Sequence, residues 1–215
     1  MEALLLLPVL LLSFVVHEFA HAWVAWREGD ATAYRQGRVT LNPVPHIDLF
    51  GTILIPLMLL VSGSGFLIGW AKPVPVDNAQ LRRGRRSRVL VSAAGVTANL
   101  LLAAVLTVLV VGAHHLAVAL PGTASAAEVI RAMATVGIRL NFVLLVFNLL
   151  PVPPLDGSHL LAEVLPARWQ VHYQRLERWG IAVFVLLLLT GAISVLLQPA
   201  FFLEKLSWTV IAWWT

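Results

Sequence analysis

Long apolar stretches are the feature that most restricts how this chain can fold. A helix needs roughly 20 apolar residues to cross a bilayer, and five stretches approach or exceed that length: residues 3–26, 50–70, 89–120, 129–150 and 181–197. Only 12% of the residues are charged, about half the share of ~25% usual in a soluble domain. The pattern predicts an all-α polytopic membrane protein with about five or six transmembrane helices. Residues 201–214 would form either an interfacial helix or the last span.

The arginines between these stretches indicate how the chain is oriented. They cluster in three loops, at residues 27–38, 72–88 and 168–178, whereas the loop at Pro121 has few. Loops rich in Lys and Arg stay in the cytoplasm, so we expect the N-terminus and the Pro121 loop to lie outside. Residues 50–70, which contain Pro56 and several glycines, would then connect two cytoplasmic loops. This predicts a re-entrant segment, which is tolerated where protein or water satisfies its backbone.

The remaining features of the sequence favour one membrane domain. Residues 1–215 show no internal repeat, and we divide them into a core at 1–165 and C-terminal helices at 166–215. The alternation at residues 31–41 predicts a small β-hairpin. The chain has no cysteine, so any metal must be held by His, Asp or Glu. Its net charge of +4 is explained by the loop arginines, and we expect no nucleic-acid partner.

A His-Glu-x-x-His pattern lies in the second half of the first apolar stretch, at His17, Glu18 and His21. Residues i and i+4 of a helix project from the same face, so both histidines can bind one zinc ion while Glu18 acts as general base on water. Each ionisable side chain inside a span costs about 3 kcal/mol on insertion scales. The clustering of these residues therefore favours a functional site over histidines that merely lie at the membrane interface.

Asp156 is the candidate for a third ligand, because catalytic zinc sites usually have three protein ligands. It follows an apolar stretch that we expect to run inward, at a depth matching that of the histidines. The prolines at 151–154 prevent a regular helix, and Gly157 permits a close approach of the backbone. The alternative is an Asp in an ordinary turn after a helix.

These motifs resemble those of the site-2 protease family of intramembrane zinc metalloproteases, in its compact prokaryotic branch without PDZ or other added domains. The resemblance covers about the first 165 residues, and residues 69–76, 37–43 and 46–48 add to it. It implies one Zn²⁺ per chain, bound by His17, His21 and Asp156, with Glu18 as the base. It also implies an endopeptidase that cuts in or near transmembrane segments of membrane-protein or peptide substrates. The corresponding processes are regulated intramembrane proteolysis and clearance of signal-peptide remnants.

Several further residues are candidates for supporting roles. Asn148 and Asn99 are polar residues in apolar spans that either contact the substrate and its oxyanion or join helices, and packing is favoured for Asn99. His46, Pro154 and Gly157 are candidates for orienting the ligands. Residues 72–76 are expected to be extended because of their prolines. They offer an edge for an unwound substrate.

Two other functions are compatible with parts of this pattern. A catalytically silent scaffold that binds transmembrane partners would have no need for Glu18. A metal transporter would need polar residues along a pathway, which the apolar residues 89–120 do not offer. Basic loops suit a membrane with anionic lipid, so we expect a prokaryotic inner membrane with the active site toward the cytoplasm. The substrate and the oligomeric state stay open.

Overall fold

The structure is a computed structural model, and it describes residues 2–63, 69–166, 168–170, 173 and 177–215. Its elements are nearly all helical. The major helices are α1 (Glu2–Arg27), α2 (Thr32–Arg35), α3 (Ile55–Val61), α4 (Arg85–Ala119), α5 (Ala124–Asn148), α6 (Asp156–Val164), α7 (Gly180–Leu189), α8 (Ala192–Leu196) and α9 (Gln198–Trp214). The structure also has short 3₁₀ turns at Val44–His46, Pro121–Thr123 and Glu177–Trp179, and a π-helical segment at Leu49–Leu54 that leads into α3.

Three helices of the described chain are long and apolar enough to cross a membrane, at Leu6–Arg27, Arg85–Ala119 and Pro121–Asn148. They agree with three of the stretches expected from the sequence, and the described elements confirm the predicted all-α fold class. The segment Leu49–Val61 is a shorter apolar helix. The larger number of five or six spans stays a prediction.

Helix α4 lies at the centre of the bundle and packs against both α1 and α5. Its buried face carries mostly small side chains about one turn apart, at Ser87, Val91, Gly95, Asn99, Ala103 and Thr107. Small residues allow helix backbones to approach closely where lipid offers no hydrophobic driving force. The close contact with α1 brings α4 against the His-Glu-x-x-His motif.

Helix α9 packs along α5 and α4 and completes the largest apolar core of the described chain. Ala200 and Ile211 of α9 join Ala134 and Phe142 of α5 in that core. The two helices are antiparallel, because Glu204 pairs with Arg139 whereas Thr215 lines a cavity together with Ala124. Residues 201–214 therefore lie along α5 and α4.

The predicted β-hairpin at residues 31–41 is wrong. This stretch contains α2, and the described residues form no strand there. The buried Asp30 carboxylate accepts the N–H of Thr32 at 2.8 Å, and Gly37, with a φ of 67°, follows the helix. The backbone groups are thus satisfied by a local turn, which removes the need for pairing with another strand.

The two ends of residues 50–70 lie close together in the structure. The Asp48 side chain caps the helical segment by accepting the N–H groups of Phe50 and Gly51. At the other end, the Trp70 N–H donates to the Gly51 carbonyl at 3.1 Å, and the Thr52 hydroxyl donates to the Trp70 carbonyl at 2.8 Å. A segment that crossed a bilayer once would have its ends about 30 Å apart. Residues 64–68 of the predicted segment lie outside the described residues.

Candidate active site

The two histidines of α1 and the first residue of α6 meet beside α4. His17 Nε2 and His21 Nε2 lie 3.1 Å apart, and each lies 3.3 Å from Asp156 Oδ2. All three residues are mostly buried. The helical spacing of the His-Glu-x-x-His motif and the start of α6 thus bring together the three residues that the sequence nominated as metal ligands.

The outer ring nitrogen of each histidine is held by an acceptor. His17 Nδ1 lies 2.6 Å from Asn99 Oδ1, and His21 Nδ1 lies 2.8 Å from the Val91 carbonyl oxygen. A carbonyl can only accept, so each Nδ1 carries the proton and donates. These two Nε2 atoms and Asp156 Oδ2 form a triangle, called the metal triangle below. In the neutral rings both Nε2 atoms then present lone pairs to its centre, the arrangement that a metal requires.

The donor atoms fit a zinc ion. Tetrahedral ligand atoms about 2.0–2.2 Å from zinc lie roughly 3.3–3.6 Å from one another, close to the separations observed here. Asp156 Oδ2 is a buried atom without a hydrogen-bond partner among the described residues. An ionised carboxylate facing two imidazole lone pairs is a site for a cation.

Glu18 lies beside the triangle, in the same cavity, and its carboxylate is held by the segment 72–76. Its Oε2 accepts the Val74 N–H at 2.8 Å. This segment is anchored in turn by Arg38, whose Nη2 donates to the Lys72 carbonyl at 2.6 Å. The segment 72–76, which lines the cavity, thus orients Glu18, the residue that the sequence predicts to be the general base.

The cavity has a volume of about 670 Å³ and is bounded by several elements. Beside the residues already named, its lining includes Asn148, Pro154, Tyr173, His159, Arg88 and Glu163. Arg88 of α4 and Glu163 of α6 form a two-pronged ion pair, with N–O distances of 2.5 and 2.8 Å. This pair fixes α6, and with it Asp156, against α4.

The structure gives the secondary candidates different places. Asn148 lines the cavity, where its Nδ2 donates to the Leu144 carbonyl at 3.0 Å. A Cβ on Gly157 would lie 2.2 Å from the Leu149 carbonyl oxygen, so a glycine lets the chain pass under the end of α5. Asn99 supports His17 and is absent from the cavity lining.

His46 lies away from the metal triangle, within the loop that precedes residues 49–61. Its Nε2 lies 2.9 Å from the Thr40 carbonyl oxygen, and its own carbonyl accepts the Lys72 N–H. Burial lowers the pKa of the His46 imidazole. His46 therefore holds the start of the segment 72–76 through its backbone carbonyl. It contacts none of the three candidate ligands in the described structure.

Sequence reasoning missed two polar residues next to the site. Asn141 of α5 and Ser13 of α1 are fully buried and connect to Asn99. The signal that could have found them is the one that drew attention to Asn99. A polar side chain in an apolar span needs a partner, and these three can satisfy one another.

A buried pair of histidines one helical turn apart, facing a carboxylate and flanked by a glutamate, defines a metallohydrolase site. Here it lies in a bundle of helices long enough to cross a membrane. Comparison with known proteins agrees: residues 112–191 match the family described as Peptidase family M50. The chain belongs to this family, the site-2 proteases, and is a membrane zinc metalloprotease of that type.

Named relatives support this assignment over most of the chain. The chain is 41% identical to "Putative zinc metalloprotease YwhC" of Bacillus subtilis, over 90% of its own length and 84% of that protein. It is 31% identical to "Putative zinc metalloprotease Rip2" of Mycolicibacterium smegmatis, over 86% of its length and 66% of that protein. No solved structure gave a significant match to the chain. The family implies Zn²⁺ as the metal.

Proposed function

We propose that this protein is an intramembrane endopeptidase that hydrolyses peptide bonds in or near the transmembrane segments of its substrates. The observation that carries the proposal is the position of the histidine pair, His17 and His21, on α1. His17 lies inside the apolar helix Leu6–Arg27, about 16 Å from its first residue at 1.5 Å per residue. This distance is within the thickness of ~30 Å of the hydrocarbon layer. Substrates that lie in the membrane are the ones such a site can reach.

In this proposal His17, His21 and Asp156 hold one Zn²⁺. The ion supplies Lewis acidity toward a water molecule and the scissile carbonyl when it is bound. Glu18, adjacent to the ligands and facing the same cavity, takes the proton from the water and passes it to the leaving amine. The Asn148 amide, which now donates to its own helix, can turn to donate to the oxyanion of the substrate.

Residues 72–76 form the wall against which a substrate would be held. Peptide hydrolysis needs an extended backbone, and a transmembrane helix must unwind to provide one. Pro73 and Pro75 have no N–H, and the Val74 N–H is used by Glu18. The substrate would therefore pair mainly with carbonyl groups of this edge, and Pro154 would border it from the other side of the cavity.

We further propose five or six spans within a single domain at residues 1–215, with the N-terminus outside and residues 50–70 re-entrant. The meeting of Gly51 with Trp70 supports the re-entrant segment, and the packing of α9 along α5 supports an additional span. Arg85, Arg86 and Arg88 begin α4 at the end nearest the site. By the positive-inside rule, these arginines support an active site that faces the cytoplasm, and we propose a prokaryotic inner membrane as its location.

A reconstituted cleavage assay tests the substrate class. The purified chain in lipid nanodiscs would be given a single-span peptide, or a water-soluble peptide with the same cleavable sequence but no apolar span. We expect cuts within or next to the span, lost in Glu18→Gln and on removal of zinc. Cleavage of the soluble peptide with no cleavage of the inserted one would contradict the proposal and indicate an ordinary peptidase at the membrane surface. No cleavage in either case, with zinc bound, would favour a scaffold.

A further inference from the structure

A row of fully buried polar side chains crosses the bundle behind His17. Ser13 of α1, Asn99 of α4 and Asn141 of α5 each have 0% exposure, although all three lie in apolar helices. Hydrogen bonds connect them in series: Asn99 Nδ2 donates to Asn141 Oδ1 at 2.8 Å, and Asn141 Nδ2 donates to Ser13 Oγ at 2.9 Å. None of the three lines the active-site cavity.

Backbone carbonyls at the end of the row away from His17 determine which group donates and which accepts in each of its hydrogen bonds. The Ser13 hydroxyl donates to the Val9 carbonyl at 2.8 Å, so its oxygen can only accept from Asn141. The Asn141 Nδ2 group also donates to the Gly137 carbonyl at 2.9 Å. Both of its protons are thus used, and its Oδ1 must point toward Asn99.

Asn99 connects this oriented row of hydrogen bonds to the candidate metal ligand His17. Since Asn99 Nδ2 donates to Asn141, the amide cannot turn over, and its Oδ1 faces His17 Nδ1 at 2.6 Å. His17 must then carry its proton on Nδ1 and leave Nε2 free. In the opposite tautomer the proton would be on Nε2, which could no longer bind a metal. His21 needs no such device, because its Nδ1 donates directly to the Val91 carbonyl.

We propose that Asn141, with Ser13, is a positioning residue for the zinc ligand His17 and acts through Asn99. The proposal rests on His17 being a ligand, as in the proposed function. Without Asn141, Asn99 loses its acceptor and can turn its NH₂ group toward His17. The imidazole then accepts at Nδ1, and its proton moves to the nitrogen that faces Asp156.

Zinc affinity measured by competition with a chelator tests the proposal on the purified chain. Loss of a hydrogen-bond partner of a ligand typically weakens metal binding about 10–100-fold. We expect a loss in this range for Asn99→Leu and a loss of about tenfold, at its lower end, for Asn141→Leu. The double variant should bind zinc as weakly as Asn99→Leu alone, because Asn141 acts only through Asn99.

A matched control separates this effect from a general loss of packing. Thr107 is a buried residue of α4 whose hydroxyl bonds only to the Ala103 carbonyl of its own helix among the described residues. Thr107→Val removes a buried hydroxyl without touching the row and should leave zinc affinity unchanged. Wild-type affinity in Asn141→Leu, or losses that multiply in the double variant, would overturn the proposal.

A second measurement keeps the test independent of zinc. In metal-free protein with ¹⁵N-labelled histidine, the nitrogen chemical shifts report which ring nitrogen of His17 carries the proton. We expect the Nδ1–H form in wild type and a mixture in Asn141→Leu, or in Ser13→Ala if Asn141→Leu does not fold. An unchanged tautomer would overturn the proposal. Failure of wild type to bind zinc would instead refute the ligand assignment in the proposed function.

Discussion

Gly95 of α4 lies directly against the His17 imidazole of α1, with no space between them for a side chain. A Cβ at Gly95 would lie 2.4 Å from His17 Cε1, 2.6 Å from His17 Nε2 and 2.3 Å from His21 Nε2. The absence of a side chain at this one position of α4 lets the two helices meet at the metal triangle. The geometry of the ligands therefore depends on a residue that binds no metal.

Gly95→Ala should abolish or severely weaken zinc binding, because the new methyl group would occupy the space of both ligand nitrogens. The measurement is zinc content per chain after purification. Gly112→Ala in the same helix is the matched control, since a Cβ there meets nothing within 4 Å. It should keep full zinc and gain about 0.5–1 kcal/mol of stability from the better helix former. Full zinc in Gly95→Ala would show that the two helices can separate without loss of the site.

The ion pair between Arg88 and Glu163 should stabilise the attachment of α6 to α4. Glu163 is only 10% exposed at its side chain, so Arg88→Gln leaves a buried carboxylate without its partner. Breaking a fully buried pair costs about 3–5 kcal/mol, and partial exposure of Arg88 should reduce this to roughly 2 kcal/mol. Thermal unfolding in detergent measures the loss. The double variant Arg88→Gln/Glu163→Gln should be more stable than Arg88→Gln alone.

Arg85→Gln serves as the control for that experiment, because Arg85 is exposed on the same turn of α4. Its unfolding free energy should stay within about 0.5 kcal/mol of wild type. Equal stability of Arg88→Gln and wild type would mean that the pair contributes nothing to the attachment of α6.

Arg38 should affect catalysis without affecting zinc. It is 5% exposed, and its guanidinium donates to the Lys72 carbonyl. Lys72 lies two residues before Val74, whose N–H donates to the Glu18 carboxylate. Arg38→Met keeps the aliphatic part of the side chain but removes the bond to the Lys72 carbonyl, so Glu18 should lose its fixed position. We expect unchanged zinc content and a fall in kcat of about tenfold, or roughly 1.4 kcal/mol. Arg35→Met, at an exposed position of α2, should cleave like wild type. Parallel loss of zinc would indicate a collapse of the site instead.

The features of the site that depend on local sequence could be predicted. His17 and His21 were identifiable because the spacing i, i+4 on a helix determines their common face. Asp156 was identifiable because it follows an apolar stretch that returns to the same end of the bundle. The breaks at Pro121 and Pro151 likewise indicated where α4 and α5 end.

Interactions between distant segments were beyond the reach of the sequence. Nothing in the pattern around Asn141 says that it faces Asn99, since that depends on the rotation of α5 against α4. The bond between Glu18 and the Val74 N–H joins residues 56 positions apart. The hairpin prediction was wrong for a related reason, since the alternation at residues 31–41 gave no weight to the Asp30 carboxylate, which accepts the Thr32 N–H in a local turn.

Asn148 should act on the transition state rather than on the metal. It lines the cavity with an amide that can turn toward a substrate. Removing one oxyanion donor typically lowers kcat by about 10²–10³-fold, so Asn148→Ala should show this loss with zinc content and KM little changed. Steady-state kinetics on a single-span substrate in nanodiscs measures both constants. A raised KM with an unchanged kcat would assign Asn148 to substrate binding.

Zinc content per purified chain, compared among four proteins, tests the central claim most directly. These are the wild type, His17→Ala, Asp156→Ala and Glu18→Gln. We expect about one zinc in wild type and in Glu18→Gln, with cleavage lost in the latter, and little or no zinc in the two alanine variants. Full zinc in Asp156→Ala would contradict the ligand triangle, and cleavage by Glu18→Gln would contradict the role of Glu18.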